Sequence, residues 1–326
     1  MDDLDPGPVL VGPFPEPVCA ALESDLEFTG LLGVGGVRFT SHPVGSPEFA
    51  ADLRDVRVLL GVGPYPPESW EGASRLRLVS VAATGYRTFV DVAATRRRGI
   101  DIAYVPAYGA ESIAEHALGL VLALAKNIVP ADAAMRGGGW RGTEQSMQLS
   151  GGVAGVIGLG PIGTRMVRLL EALGMDVLVC TRSQDPGRLA GTSARYATLE
   201  EAVTGVDVVS LHVALTPQTT GMIDADLLRR ARPGTIVVNT ARAELIAQGA
   251  LEKQVLAGRI RAGLDVFRAE PPAADDPVRR LGERAVLTPH IAFNTQAASR
   301  SVVLGAARNV AAWIAGSPVN LAADDL

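Results

Sequence analysis

The chain has 326 residues, with 30 Lys and Arg against 35 Asp and Glu for a net charge of −5. That length fits two domains, 48% hydrophobic residues exclude wholesale disorder, and the acidic balance argues against a nucleic-acid partner. Two cysteines, Cys19 and Cys180, build neither a disulfide framework nor a four-ligand zinc site, so no metal is expected.

The chain opens on Met1-Asp2-Asp3-Leu4-Asp5, whose charge is wrong for a secretory signal, and a soluble cytoplasmic protein is expected. Short apolar runs then recur, each followed by a helical pattern. Strands are predicted at 9–11, 58–61, 78–81 and 102–104 in a first block. A long helix is predicted over about 111–127; its apolar run at 118–125 is short and flanked by Glu115, His116 and Lys126, so no membrane span is expected. After Gly137-Gly138-Gly139-Trp140 a second block carries predicted strands at 155–157, 177–180, 206–211, 235–239, 260–266 and 285–287. A last helix, about 296–315, is placed to pack back on the first block. Strands spaced by helices cannot pair as hairpins and imply right-handed crossovers in parallel sheets, an α/β architecture.

Residues 151–163 read Gly-Gly-Val-Ala-Gly-Val-Ile-Gly-Leu-Gly-Pro-Ile-Gly. An apolar strand ends at Ile157 and a helix begins near Pro161, the context that gives a G-x-G-x-x-G pattern meaning. Gly158 suits the tight turn, Gly160 the close approach of a pyrophosphate, and Gly163 the packing of helix on strand, with Leu159, Pro161 and Ile162 completing the cradle. Past the next strand, an NAD site normally offers Asp or Glu to the adenosine ribose. Here the chain has Thr181-Arg182-Ser183. A guanidinium without a carboxylate suits a 2′-phosphate, so NADP(H) is favoured and NAD(H) stays open.

Three later segments each place a reactive side chain near a strand end: Arg242 after 235–239, Glu270 after Asp265, and His290 after 285–287. Ligands of open parallel sheets lie beyond the carboxyl ends of strands, so these groups converge on the cofactor. Reduction of a 2-oxo acid needs a cation to hold the carboxylate and polarise the ketone, and a proton donor for its oxygen. A carboxylate beside an imidazole favours the charged ring and fixes its orientation.

Over nearly its whole length the chain resembles the D-isomer-specific 2-hydroxyacid dehydrogenases. The matching segments are Arg98-Gly99-Ile100, Ala114-Glu115-His116, the glycine turn, Leu211-His212, 239–242, 263–267, Glu270-Pro271 and 288–291. The resemblance implies two doubly wound parallel-sheet domains. A Rossmann cofactor domain, about 106–289, is inserted in a flavodoxin-like catalytic domain made of 1–105 and 290–326. It implies an Arg242, Glu270 and His290 catalytic set. Cofactor contacts are then implied at His212, Val213, Ala214, Thr240, Ala241, Asp265, His290 and Ala292. Backbone N–H groups of Thr84, Gly85 and Tyr86 are implied for the substrate carboxylate, with Arg87, Tyr108, Arg242 and Phe293 around the substrate. A homodimer joined around 111–140, and cleft closure that excludes water from hydride transfer, are further implications.

Departures are visible. The stretch 85–91 is one residue longer than the common family pattern, and Ala243, Ala247 and Ala214 replace the usual Gly, Asp and Pro. The substrate expected is a small 2-oxo or 2-hydroxy acid, on the glyoxylate and hydroxypyruvate side of the family or a larger biosynthetic relative. Two alternatives remain: phosphonate (phosphite) dehydrogenase, which shares the Arg/Glu/His set, and a non-catalytic dinucleotide-sensing corepressor or scaffold. Formate dehydrogenase is disfavoured, because that branch has Gln where this chain has Glu270.

Overall fold

The structure is a computed structural model and describes residues 7–33, 36–140 and 145–323, so the Met1–Asp5 segment lies outside the described residues. The chain divides into two compact units: Met1–Gly109 with Thr295–Leu326, and Ala110–Asn294.

The first unit is built from β1 (Val9–Val11), α1 (Glu16–Glu23), α2 (Leu26–Leu32), β2 (Val37–Phe39), α3 (Pro47–Asp52), β3 (Val58–Gly61), β4 (Leu78–Val81), α4 (Val92–Arg97) and β5 (Asp101–Tyr104). Its sheet is wholly parallel in the order β2-β1-β3-β4-β5. Both faces are covered, which is why β3 and β4 are apolar at nearly every position. Leu10, Leu59, Val79 and Ile102 pack with Phe49, Tyr65 and Trp70 on one face. On the other face, Val9, Val58, Leu60 and Leu78 meet Phe28 and four residues of the last helix: Leu304, Ala306, Ala307 and Val310.

The second unit takes the chain through α5 (Ala110–Ala125), α6 (Ile128–Arg136), β6 (Val153–Ile157), α7 (Pro161–Ala172), β7 (Asp176–Cys180), β8 (Arg195–Tyr196), α8 (Glu201–Thr204), β9 (Val208–Leu211), α9 (Ala225–Arg230), β10 (Ile236–Asn239), α10 (Ala250–Leu256), β11 (Arg261–Leu264) and β12 (Ala285–Leu287). The chain then returns to the first unit in α11 (Gln296–Ile314). The seven strands are parallel in the order β12-β11-β10-β9-β6-β7-β8. From β6 the chain winds outward to β7 and β8, then crosses back to β9. The winding direction therefore reverses between β6 and β9, and a crevice opens there at the carboxyl ends. Val156, Val208, Ile236 and Val238 face α5 and α7, while Val209, Leu211, Val237 and Ala262 face α8 to α10.

The strands absent from the sequence reading are β2 and β8. Both are short edge strands of three and two residues with no fully buried position, so no apolar run marks them. The two compact units meet in the chain at Gly109–Ala110 and at Asn294–Thr295. Residues 291 and 292 are bonded to Asp265 of the second unit. No single helix among the described residues is long and apolar enough to cross a membrane. Only α5 and α6 taken together, bent by 63°, pass on length and composition, and Ala117, Leu120, Val121 and Leu124 of α5 are core residues.

Candidate active site

The glycine turn follows β6 at the point where the winding reverses. Gly158 has φ +98°, and a β-carbon there would lie 2.5 Å from the His212 carbonyl oxygen. A β-carbon on Gly163 would sit 1.9 Å from the Gly158 carbonyl oxygen, so only glycine lets α7 begin so close to the turn. Gly160 caps α7 with no side-chain bond, and nothing lies within 4 Å of where its β-carbon would be. The N–H groups of Ile162 and Gly163 have no acceptor among the described residues. A diphosphate is the ligand such an open, positively polarised helix start accepts. Two buried polar atoms at neighbouring strand ends also lack partners among the described residues: His212 Nδ1 after β9 and Thr240 Oγ1 after β10. Ligand-facing groups are left in this state by a protein whose ligand completes them. The residues therefore fit a dinucleotide.

His212 follows β9, half-buried, with one ring nitrogen held by its own strand. Nε2 lies 2.8 Å from Ser210 Oγ, and burial pushes the imidazole down to about 4, so it is neutral. Past β7, Arg182 is exposed and carries no hydrogen bond or ion pair among the described residues. The Arg188 guanidinium donates to the Leu159 carbonyl of the glycine turn, and Asp185 spends its carboxylate on the Gly187 N–H at 2.9 Å.

His290 and Glu270 meet: His290 Nδ1 lies 2.7 Å from Glu270 Oε2, and each side chain is 38% exposed. Glu270 Oε1 accepts from the Phe267 N–H at 3.0 Å, which holds the carboxylate edge toward the ring. Burial alone raises this carboxyl. The hydrogen bonds from His290 and Phe267, with the charges of His290 and Arg242, outweigh burial and hold it below its ordinary value. His290 Nε2 has no hydrogen bond among the described residues, so that nitrogen is the one presented to a ligand. Phe293 stands edge-on to the same ring, with centroids 6.0 Å apart. Arg242 follows β10 in extended backbone and is braced by Asn239. That side chain donates to the Arg242 carbonyl at 2.8 Å and accepts from the Ala241 N–H at 3.0 Å.

Asp265 is fully buried, and its carboxylate takes three donors from its own chain. Oδ1 accepts from Thr288 Oγ1 at 2.6 Å and the Ile291 N–H at 2.9 Å, while Oδ2 accepts from the Ala292 N–H at 2.9 Å. Asp265 and Ala292 thus shape the segment that carries His290. The bracing groups Asn239 and Thr288 lie inside segments that sequence reading matched, but no role was assigned to them there.

In the first unit, the N–H groups of Thr84, Gly85 and Tyr86 have no acceptor among the described residues, while Thr84 Oγ1 donates to Val105 O at 2.8 Å. Residues 86–88 make one 3-10 turn. The Tyr86 ring lies 4.7 Å from that of Tyr104, and the Arg87 guanidinium lies 5.3 Å from the Tyr86 ring centre. Tyr108 packs against the apolar cluster of this unit.

A reversal-point glycine turn and a His–Glu pair at the strand ends of one parallel sheet define a nicotinamide-dependent oxidoreductase. Residues 118–292 match the family described as D-isomer specific 2-hydroxyacid dehydrogenase, NAD binding domain. The chain is 32% identical over 267 residues to a hydroxypyruvate reductase of Blautia hydrogenotrophica, covering 79% of this chain and 82% of that one. It is 36% identical over 276 residues to a glyoxylate reductase of Korarchaeum cryptofilum, covering 82% of each. In fold it matches a D-lactate dehydrogenase of Treponema pallidum, TM-score 0.86 at 23% identity, over 97% of this chain and 99% of that one. The chain belongs to the D-isomer specific 2-hydroxyacid dehydrogenase family.

Proposed function

We propose that the enzyme reduces glyoxylate, hydroxypyruvate or a related 2-oxo acid to the D-2-hydroxy acid, with NADP(H) preferred to NAD(H). The carrying observation is the 2.7 Å contact between His290 Nδ1 and Glu270, with Nε2 left for the substrate. A nicotinamide dinucleotide, when bound, supplies the hydride. Arg242 holds the oxo acid by its carboxylate, and the charged His290 ring gives its Nε2 proton to the ketone oxygen as that oxygen becomes an alkoxide. Glu270 offsets the positive charge of the ring before the proton leaves. The free N–H groups of Thr84, Gly85 and Tyr86 suit a carboxylate as well. The NADP(H) preference is supported by the unpaired Arg182 and by the second guanidinium at Arg188, with no carboxylate in 181–183. Ile128, Val129, Met135 and Trp140 are exposed apolar side chains on and after α6, and a second copy of the chain is their proposed occupant.

The test is oxidation of NADPH and NADH in parallel across a panel of 2-oxo acids, with phosphite-dependent reduction of NADP⁺ and NAD⁺ alongside. Faster NADPH oxidation with small 2-oxo acids is expected. Turnover of phosphite alone assigns the phosphite reading, and dinucleotide binding without turnover of any member assigns a sensing role.

A further inference from the structure

The backbone at His290 is held in the left-handed region, φ +54°, which a non-glycine residue adopts only when its surroundings enforce it. Two groups of bonds do so. The His290 N–H donates to the Thr288 carbonyl at 3.0 Å, and the next two N–H groups donate to Asp265. Asp265 is in turn fixed by the Thr288 hydroxyl. The backbone that carries the imidazole is therefore held through Thr288 and Asp265.

One more side chain reaches this cluster. His116, on α5, has Nε2 2.9 Å from Thr288 Oγ1 and 3.7 Å from Asp265 Oδ1. The direction of the bond follows from the hydroxyl's single proton. Thr288 gives that proton to the Asp265 carboxylate, so at the other contact it accepts, and His116 Nε2–H is the donor. The helix comes this close because of β11. A β-carbon on Gly263 would lie 2.9 Å from Leu120 Cβ, so a larger residue there would push α5, and His116 one turn earlier, away from the strand ends.

We infer that His116 is a positioning residue for His290, acting through the His116–Thr288–Asp265 chain of hydrogen bonds. The inference rests on the proposed role of His290 as proton donor. Without His116 the Thr288 hydroxyl loses the donor on its oxygen, and its bond to Asp265 is the one side-chain contact left to hold its rotamer. The turn at His290 then samples other orientations, and a displacement of a proton donor by about 1 Å costs roughly a hundredfold at most.

The test compares His116→Leu, which deletes the donor, with His116→Gln, whose amide nitrogen reaches the Nε2 position. The readouts are kcat with a turned-over 2-oxo acid, NADPH affinity, melting temperature, and the His290 imidazole resonances in an NMR spectrum that holds only four histidines. Expected for His116→Leu is a fall in kcat of about tenfold or more, unchanged NADPH affinity and shifted His290 resonances. The glutamine variant returns both kcat and resonances close to wild type. Unmoved resonances in the leucine variant, or a glutamine variant as impaired as leucine, overturn the inference. Shifted resonances restored by glutamine, with kcat unchanged throughout, uphold the positioning and overturn the proton-donor reading instead.

Discussion

Replacing Glu270 by glutamine keeps the shape of the side chain and removes its charge. Two unit charges at the 2.7 Å separation of Glu270 and His290 attract by about 6 kcal/mol at an effective dielectric of about 20, and by about 1.5 kcal/mol in bulk water. Both side chains are 38% exposed, so solvent screening brings the working figure down to about 2 kcal/mol. That corresponds to roughly a thirtyfold loss of kcat. The glycine turn lies on another strand end, so NADPH affinity is expected to hold. A second readout comes from pH. Burial raises the Glu270 carboxyl, but its bonds to His290 and Phe267 and the neighbouring charges win and leave it below its ordinary value. A group depressed in this way contributes fully above its unfolded pKa, and its contribution is lost as pH falls through the folded value. The wild-type rate therefore holds down through the ordinary glutamate range, about 4.3, before its acid limb begins. The limb is absent from Glu270→Gln. Initial rates with saturating NADPH across pH measure both effects. A variant with wild-type kcat at neutral pH and an intact acid limb refutes the reasoning.

His290→Ala is expected to lower kcat by about 10²- to 10⁴-fold, the usual range for a lost acid–base group, while dinucleotide affinity measured by calorimetry stays near wild type. Gly163→Ala places a β-carbon 1.9 Å from the Gly158 carbonyl oxygen. It should lower the melting temperature by several degrees and weaken dinucleotide binding together; normal binding would show that α7 shifts freely. Arg182→Asp is expected to raise KM for NADPH by more than about tenfold and leave or improve that for NADH, since a carboxylate repels a 2′-phosphate and accepts from a 2′-hydroxyl. Parallel shifts for both dinucleotides would remove Arg182 from the ribose end.

What was legible in the sequence follows from what each contact needs. Buried parallel strands announce themselves as unbroken apolar runs, so β1, β3 and β4 were found at their observed bounds. The edge strands β2 and β8 bury little and carry no such mark. Strand-end chemistry is readable because the sheet, not the side chain, decides the location, and this placed Glu270 and His290 on one rim. Side-chain direction is another matter. Asp265 was read only for a cofactor contact, and its bonds from Thr288, Ile291 and Ala292 are ones that no strand pattern announces. The His116–Thr288 bond joins residues 172 positions apart. It depends on a close approach at Gly263 that no periodicity records.

The interruption of the first unit by the second bears on how the chain is made. Ser80 in the centre of the first sheet donates to the carbonyl of Ala306 at 3.0 Å, and the face around it is closed by Leu304, Ala307 and Val310. During synthesis the five strands emerge first, but the part of that face around Ser80 stays uncovered until α11 leaves the ribosome. Meanwhile every strand of the second sheet has already been delivered. Stalling translation just before residue 295 would therefore hold 7–109 with that part of its sheet surface uncovered.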